Sequence, residues 1–289
     1  MARAQILKAM EEVMGPLPPR PKTAPQVEVI VSVELPNQLI RQKIVIDDGL
    51  TAYRFLPASR VPSPAAVCLH QTYRPGKAEP AGLSGKPNLF YALELAQRGF
   101  VTIAPDYPNF GDYEYDPYAH GYASCTMAGI VNHMRVVDVL EAMPEVRRGA
   151  IATIGHSLGG HNSLFLAAFD DRVRAAVTSC GFNSWAKYMG GKIAPWGGIR
   201  YMPRVVSVFN ADIARMPFDF HDVLNAIAPR PIYINAPLRD SNFEYSGVDD
   251  CVAKAEQRER IVLRHPDAEH DFPAEIRMEA YEFLSKALV

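Results

Sequence analysis

Ala150-Ile151-Ala152-Thr153-Ile154-Gly155-His156-Ser157-Leu158-Gly159-Gly160-His161 decides how this chain is read. An apolar run of strand character leads into Gly-x-Ser-x-Gly. The chain then continues through Asn162-Ser163-Leu164-Phe165-Leu166-Ala167-Ala168 as an apolar helix. Strand, tight turn and helix in that order lift the pentapeptide above chance, because the turn then holds Ser157 exposed at the carboxyl end of a sheet. Gly155 and Gly159 are the small residues that let strand and helix pass closely there. Ser157 is therefore the candidate nucleophile.

Outward from this turn, strands and helices alternate. Upstream, Pro64 to His70 is a continuously apolar strand, Leu89 to Arg98 a helix closed by Gly99, Phe100 to Asp106 a strand, and Met127 to Met143 a long helix. Downstream, Ala175 to Cys180, Pro231 to Ala236 and Ile261 to His265 read as strands. Asp222 to Ala228, Val248 to Arg258 and Glu275 to Ala287 read as helices. Such alternation predicts an α/β fold with a parallel sheet covered on both faces. Ahead of it, Val27 to Val33, Leu39 to Ile46 and Leu50 to Leu56 alternate apolar with polar residues, and Asp48-Gly49 is a turn signal. This is the pattern of antiparallel strands. Residues 1–26 form a lead-in, a helix to about residue 14 and then a proline run from Pro16 to Pro21 that cannot continue it. Residues 27–289 are expected to form one domain.

Composition narrows the function. A net charge of −2 with interspersed signs gives no electrostatic case for nucleic acid or an anionic membrane. No apolar run approaches the ~20 residues of a bilayer-spanning helix. Met1 to Glu12 is amphipathic and charged, unlike the apolar core of a secretory signal. The four cysteines, Cys68, Cys125, Cys180 and Cys251, lack the spacing of a zinc site or a disulfide framework. A reduced, cytoplasmic protein is expected; a processed secreted chain would look the same.

A serine hydroxyl needs a base held by a carboxylate, and at a turn of this type the partners follow in the order Ser, Asp/Glu, His. His270 lies past the last strand and before the closing helix, where it can face Ser157. His265 falls within a strand end, His133 within a helix, and His156 and His161 flank the nucleophile too closely in sequence to fold back onto it. For the acid, Asp240 lies a few residues beyond the strand Pro231 to Ala236. Asp249 and Asp250 come later, at a helix start where carboxylates commonly serve the unpaired N–H groups.

With these residues in place the chain resembles the α/β-hydrolase superfamily, and more narrowly the dienelactone-hydrolase and acetyl-xylan-esterase-like group near the prolyl-oligopeptidase-type hydrolases. The resemblance spans roughly residues 65 to 275. It is carried by Leu69-His70-Gln71-Thr72, Gly76-Lys77-Ala78-Glu79, Ala104-Pro105-Asp106-Tyr107-Pro108, Gly155 to Asn162, Ser179-Cys180-Gly181-Phe182, Ala228-Pro229-Arg230-Pro231 and Glu269-His270-Asp271-Phe272. Two departures bear on activity. Dienelactone hydrolases use a cysteine where this chain has Ser157, and the peptidases carry a β-propeller for which there is no room.

The resemblance implies a serine esterase working through an acyl-enzyme, with no metal or organic cofactor. Its oxyanion hole would be the backbone N–H groups of Gln71, after the strand ending at His70, and of Leu158. His70 itself reads as a structural residue holding that loop. The segment 181–222 would be a small cap. Aromatic residues of the two irregular stretches, Tyr107, Tyr122, Trp185, Tyr188 and Trp196, are candidates for the pocket wall. A small-molecule or sugar ester is the expected substrate. C–C hydrolysis, perhydrolysis or acyl transfer by the same triad, and a non-catalytic binding role, are the alternatives. Exposed aromatics of the cap would equally serve contact between copies in a homo-oligomer.

Overall fold

The computed structural model describes residues 1–47 and 49–289, so Asp48 of the Asp48-Gly49 turn signal lies outside the described residues. Among these residues nine strands form one sheet: β1 Val27–Leu35, β2 Leu39–Ile46, β3 Leu50–Leu56, β4 Ser63–Leu69, β5 Val101–Pro105, β6 Val146–His156, β7 Val173–Ser179, β8 Ile232–Asn235 and β9 Ile261–Arg264. Their order is β1-β2-β3-β5-β4-β6-β7-β8-β9. The pairs from β1 to β3, and β3 with β5, are antiparallel. All remaining pairs are parallel. The antiparallel lead strands and the parallel body expected from the sequence are both present.

Among the described residues eight α-helices accompany the sheet: α1 Arg3–Met14, α2 Tyr91–Gln97, α3 Cys125–Ala142, α4 Leu158–Phe169, α5 Arg204–Ser207, α6 Phe220–Ile227, α7 Tyr245–Lys254 and α8 Ala274–Ala287. Neighbouring residues of a strand point to opposite faces, and the core divides accordingly. Ala65, Val67 and Leu69 of β4 pack with α1, α3, α4 and α6, whereas Ala66 and Cys68 pack with α2 and α8. Central strands covered on both sides account for their continuous apolar runs. Helix α4 is buried at every position, which is why it shows no polar face in the sequence. Helix α1 belongs to this packing: Ile6, Met10, Val13 and Met14 are fully buried, and the Arg3 guanidinium donates to the carbonyls of Ala168 and Ala226.

Between β7 and α6 the chain makes short turns and the single-turn α5 in place of regular structure. This stretch lies where the insertion was expected. No helix among the described residues is long and apolar enough to cross a membrane.

Candidate active site

Strand β6 ends at His156 and helix α4 begins at Leu158, leaving Ser157 alone on the turn, with φ 54° and ψ −115°. A non-glycine residue there is strained, and such strain concentrates at functional sites. What holds the turn is close backbone packing. A Cβ at Gly155 would collide with the Gly159 carbonyl, and one at Gly159 with the carbonyl of Leu69 at the end of β4. The second collision also shows that α4 begins against the end of β4, which brings the loop carrying Gln71 beside Leu158.

His270 and Asp240 come together from the loops after β9 and β8. Nδ1 of His270 is 3.0 Å from both carboxylate oxygens of Asp240. Asp240 Oδ1 also accepts the backbone N–H groups of Asn242 at 2.8 Å and Phe243 at 3.1 Å. Burial pushes the Asp240 carboxyl up, but the His270 hydrogen bond and charge, with those two N–H groups, outweigh it and hold it below the usual carboxylate range. An ionised carboxylate only accepts, so Nδ1 carries a proton, and in the neutral ring Nε2 then presents its lone pair. The His270 ring lies 4.8 Å from that of His156, the residue before Ser157, and 6.1 Å from that of Phe243. Of the two later acids, Asp249 pairs with His265 at 2.9 Å.

Gln71 lies in the loop after β4, and Leu158 follows Ser157 at the end of β6. Leu158 opens α4, so its N–H has no acceptor within the helix. Gln71 is anchored through its side chain, whose Nε2 donates to both carboxylate oxygens of the buried Glu79 at 3.0 and 2.9 Å. His70 Nδ1 donates to the Gln71 carbonyl at 2.6 Å, and its Nε2 accepts the Tyr107 N–H at 2.9 Å. His70 thus ties two loops together and is not free to act as a base. Beneath this loop Lys77 and Asp106, both buried, form an ion pair at 2.5 Å.

A cavity of about 140 Å³ opens at Ser157. Leu158, His161 and Thr72 line it from the sheet side, and Tyr188, Pro195, Trp196, Tyr201 and Phe243 from the cap and the loop after β8. Of the aromatic residues expected in the wall, Tyr188 and Trp196 are there. Tyr107, Tyr122 and Trp185 are not. Tyr107 is buried and its hydroxyl donates to the Arg200 carbonyl at 2.9 Å, bracing the cap from below. The Trp185 indole N–H donates to the Phe218 carbonyl at 2.5 Å, and its ring packs edge-on behind Trp196. Tyr122 is half-buried against the main core. His161, Thr72, Tyr201 and Phe243 were not singled out for the wall. For His161 the signal was its spacing of four from Ser157, which puts both on one side of a helix start.

One group of potential metal ligands occurs among the described residues: His156, Cys180 and His270, with ligand atoms within 4.8 Å of one another. Their protons are otherwise engaged. His156 Nδ1 is 2.9 Å from Ser179 Oγ, His270 Nδ1 faces Asp240, and burial pushes the Cys180 thiol well up.

Residues 76–281 match the sequence pattern described as the alpha/beta hydrolase family. The chain belongs to the alpha/beta hydrolase family. Among relatives of this hydrolase, 2,6-dihydropseudooxynicotine hydrolase of Paenarthrobacter nicotinovorans is 27% identical over 260 residues, covering 86% of this chain and 65% of that protein. The glucuronoyl esterase from Solibacter usitatus superposes with a TM-score of 0.78 at 17% identity, over 99% of this chain and 92% of that one. Acetyl Xylan Esterase 1 from Thermoanaerobacterium sp. gives 0.65 at 17% identity, over 99% and 93%. At such identities the two esterases share the fold with this hydrolase.

Proposed function

We propose that this protein hydrolyses carboxylic esters through an acyl-enzyme. The observation that carries the reading is the strained Ser157 lining a cavity, with a His270–Asp240 pair packed against the neighbouring His156 and oriented so that Nε2 of the neutral ring is left as a base. Ser157 Oγ attacks the ester carbonyl and His270 Nε2 takes its proton. The tetrahedral intermediate collapses as His270 returns the proton to the departing alcohol. Water, activated by the same imidazole, then releases the acid. Asp240 holds the ring and stabilises the imidazolium. The N–H groups of Gln71 and Leu158 receive the oxyanion; such a donor is typically worth ~2.7–4 kcal/mol in the transition state.

A cavity of about 140 Å³ fits a small ester or one ring of a sugar ester. The name of the two structural neighbours as esterases is consistent with this class of bond. The test is turnover of short p-nitrophenyl esters by wild type and Ser157→Ala, with fluorophosphonate labelling of both. Loss of turnover and label together in the variant is expected; wild-type turnover by Ser157→Ala removes the proposal.

A further inference from the structure

Two of the residues that line the cavity each carry a buried polar atom without a hydrogen-bond partner. His161 is 2% exposed and Trp196 is 4% exposed. Both residues line the cavity with Ser157, and neither His161 Nε2 nor Trp196 Nε1 has a hydrogen-bond partner. Their rings meet at 4.9 Å between centroids, tilted by 61°. Buried polar groups without partners are uncommon, and each calls for an explanation.

The protonation of His161 follows from its surroundings. Nδ1 lies 3.2 Å from the Gly181 carbonyl, which can only accept, so Nδ1 carries the hydrogen. Burial pushes the imidazole down to about 3, so it stays neutral at ordinary pH. Nε2 is then a bare acceptor, while the Trp196 indole N–H is a bare donor. A carboxylate in this place answers the indole and leaves Nε2 unmet. An ammonium answers Nε2, leaves the indole unmet and buries a charge. A hydroxyl donates and accepts at once.

We propose that His161 Nε2 and the Trp196 indole N–H bind a hydroxyl of the substrate, making this enzyme selective for ring-sized esters that carry one over their deoxy analogues. This rests on the ester-hydrolase reading given above. The size follows from the cavity, about 140 Å³, because an apolar cavity of roughly 150 Å³ accommodates benzene. The selectivity follows from the unpaired atoms: a site shaped to bond a hydroxyl rejects the analogue lacking it, whose binding leaves the buried partners unsatisfied. An ordered water would also satisfy the two atoms, but it would serve hydroxylated and deoxy substrates alike.

The experiment compares kcat/KM within matched pairs. Cyclohexyl acetate against the monoacetates of the cyclohexanediols places the hydroxyl on the alcohol. p-Nitrophenyl cyclohexanecarboxylate against its hydroxylated counterparts places it on the acyl group. Wild type is expected to favour a hydroxylated member of one series by tenfold or more. His161→Phe, which fills the space without an acceptor, should bring the ratio to about threefold or less, and Trp196→Phe should reduce it. His161→Gln, which keeps an acceptor, should retain it. Each ratio is internal to one preparation, so partial unfolding does not distort it, and the Gln and Trp196 variants carry the test if His161→Phe does not fold. The inference is overturned if wild type discriminates in neither series, or if His161→Phe discriminates as strongly as wild type. Ser157-dependent turnover of p-nitrophenyl acetate reports separately on the parent reading. If that turnover is present without hydroxyl preference, only the inference falls; if it is absent, both fall.

Discussion

The imidazole of His270 faces Asp240 squarely, with Nδ1 3.0 Å from each carboxylate oxygen, and Asp240 is itself held by the backbone N–H groups of Asn242 and Phe243. Ring orientation is thus set through a carboxylate that two backbone N–H groups hold in place. Asp240→Asn keeps the shape but offers an amide that can stabilise the wrong tautomer. We expect kcat to fall by about 10⁴-fold, the scale such a change produces in a serine protease triad, with KM little altered. Steady-state kinetics on a p-nitrophenyl ester measure both.

Glu79 does not line the cavity at Ser157, yet both of its oxygens hold the Gln71 side chain. Releasing it loosens the loop whose amide is to receive the oxyanion. Glu79→Ala should lower kcat by about tenfold to a hundredfold, somewhat less than outright loss of such a donor. Fluorophosphonate labelling should slow in parallel. An unchanged kcat in a folded variant would detach Glu79 from the oxyanion site.

Lys77 and Asp106 form a buried pair in which Asp106 also receives the Thr51 hydroxyl at 2.6 Å and the Lys77 N–H at 2.9 Å. Breaking such a pair from one side strands a buried charge, at a cost of about 3–5 kcal/mol. Lys77→Met should lose stability on that scale in urea denaturation at pH 7. A loss below 1 kcal/mol would contradict the burial of this pair.

Acid should destabilise the fold through buried imidazoles. Burial pushes His133 down to about 3, whereas in the unfolded chain it titrates near 6.5. Between those values the unfolded state binds a proton that the native state refuses, so stability falls as pH falls, by at most about 1.4 kcal/mol per pH unit for one group. His133→Phe should therefore lose about 2 kcal/mol less than wild type between pH 6.5 and 5. Urea midpoints at the two values give the comparison.

Where periodicity and chain order suffice, sequence and structure agree closely. The strands Leu39–Ile46 and Leu50–Leu56 fall on the expected residues. His270 and Asp240 were legible because each follows a strand whose apolar run is plain, and strand ends meet at one edge of a parallel sheet. The cavity wall was legible only in part, through Tyr188 and Trp196. Between β7 and α6 no period exists to say which aromatic faces inward: Trp185 turns its N–H to the Phe218 carbonyl, whereas Trp196 lines the cavity. His161 escaped notice because nearness to Ser157 argues against its being the base, although the same nearness puts it in the wall.

Ser157 occupies a backbone conformation that only glycine adopts without penalty. The folded protein therefore carries Ser157, the proposed nucleophile, as a standing handicap, of order 1–3 kcal/mol for such a conformation. A copy of this chain released from selection for chemistry has a direct route to greater robustness, the replacement of Ser157 by glycine. Persistence of serine at that turn is, in this light, a signature of use.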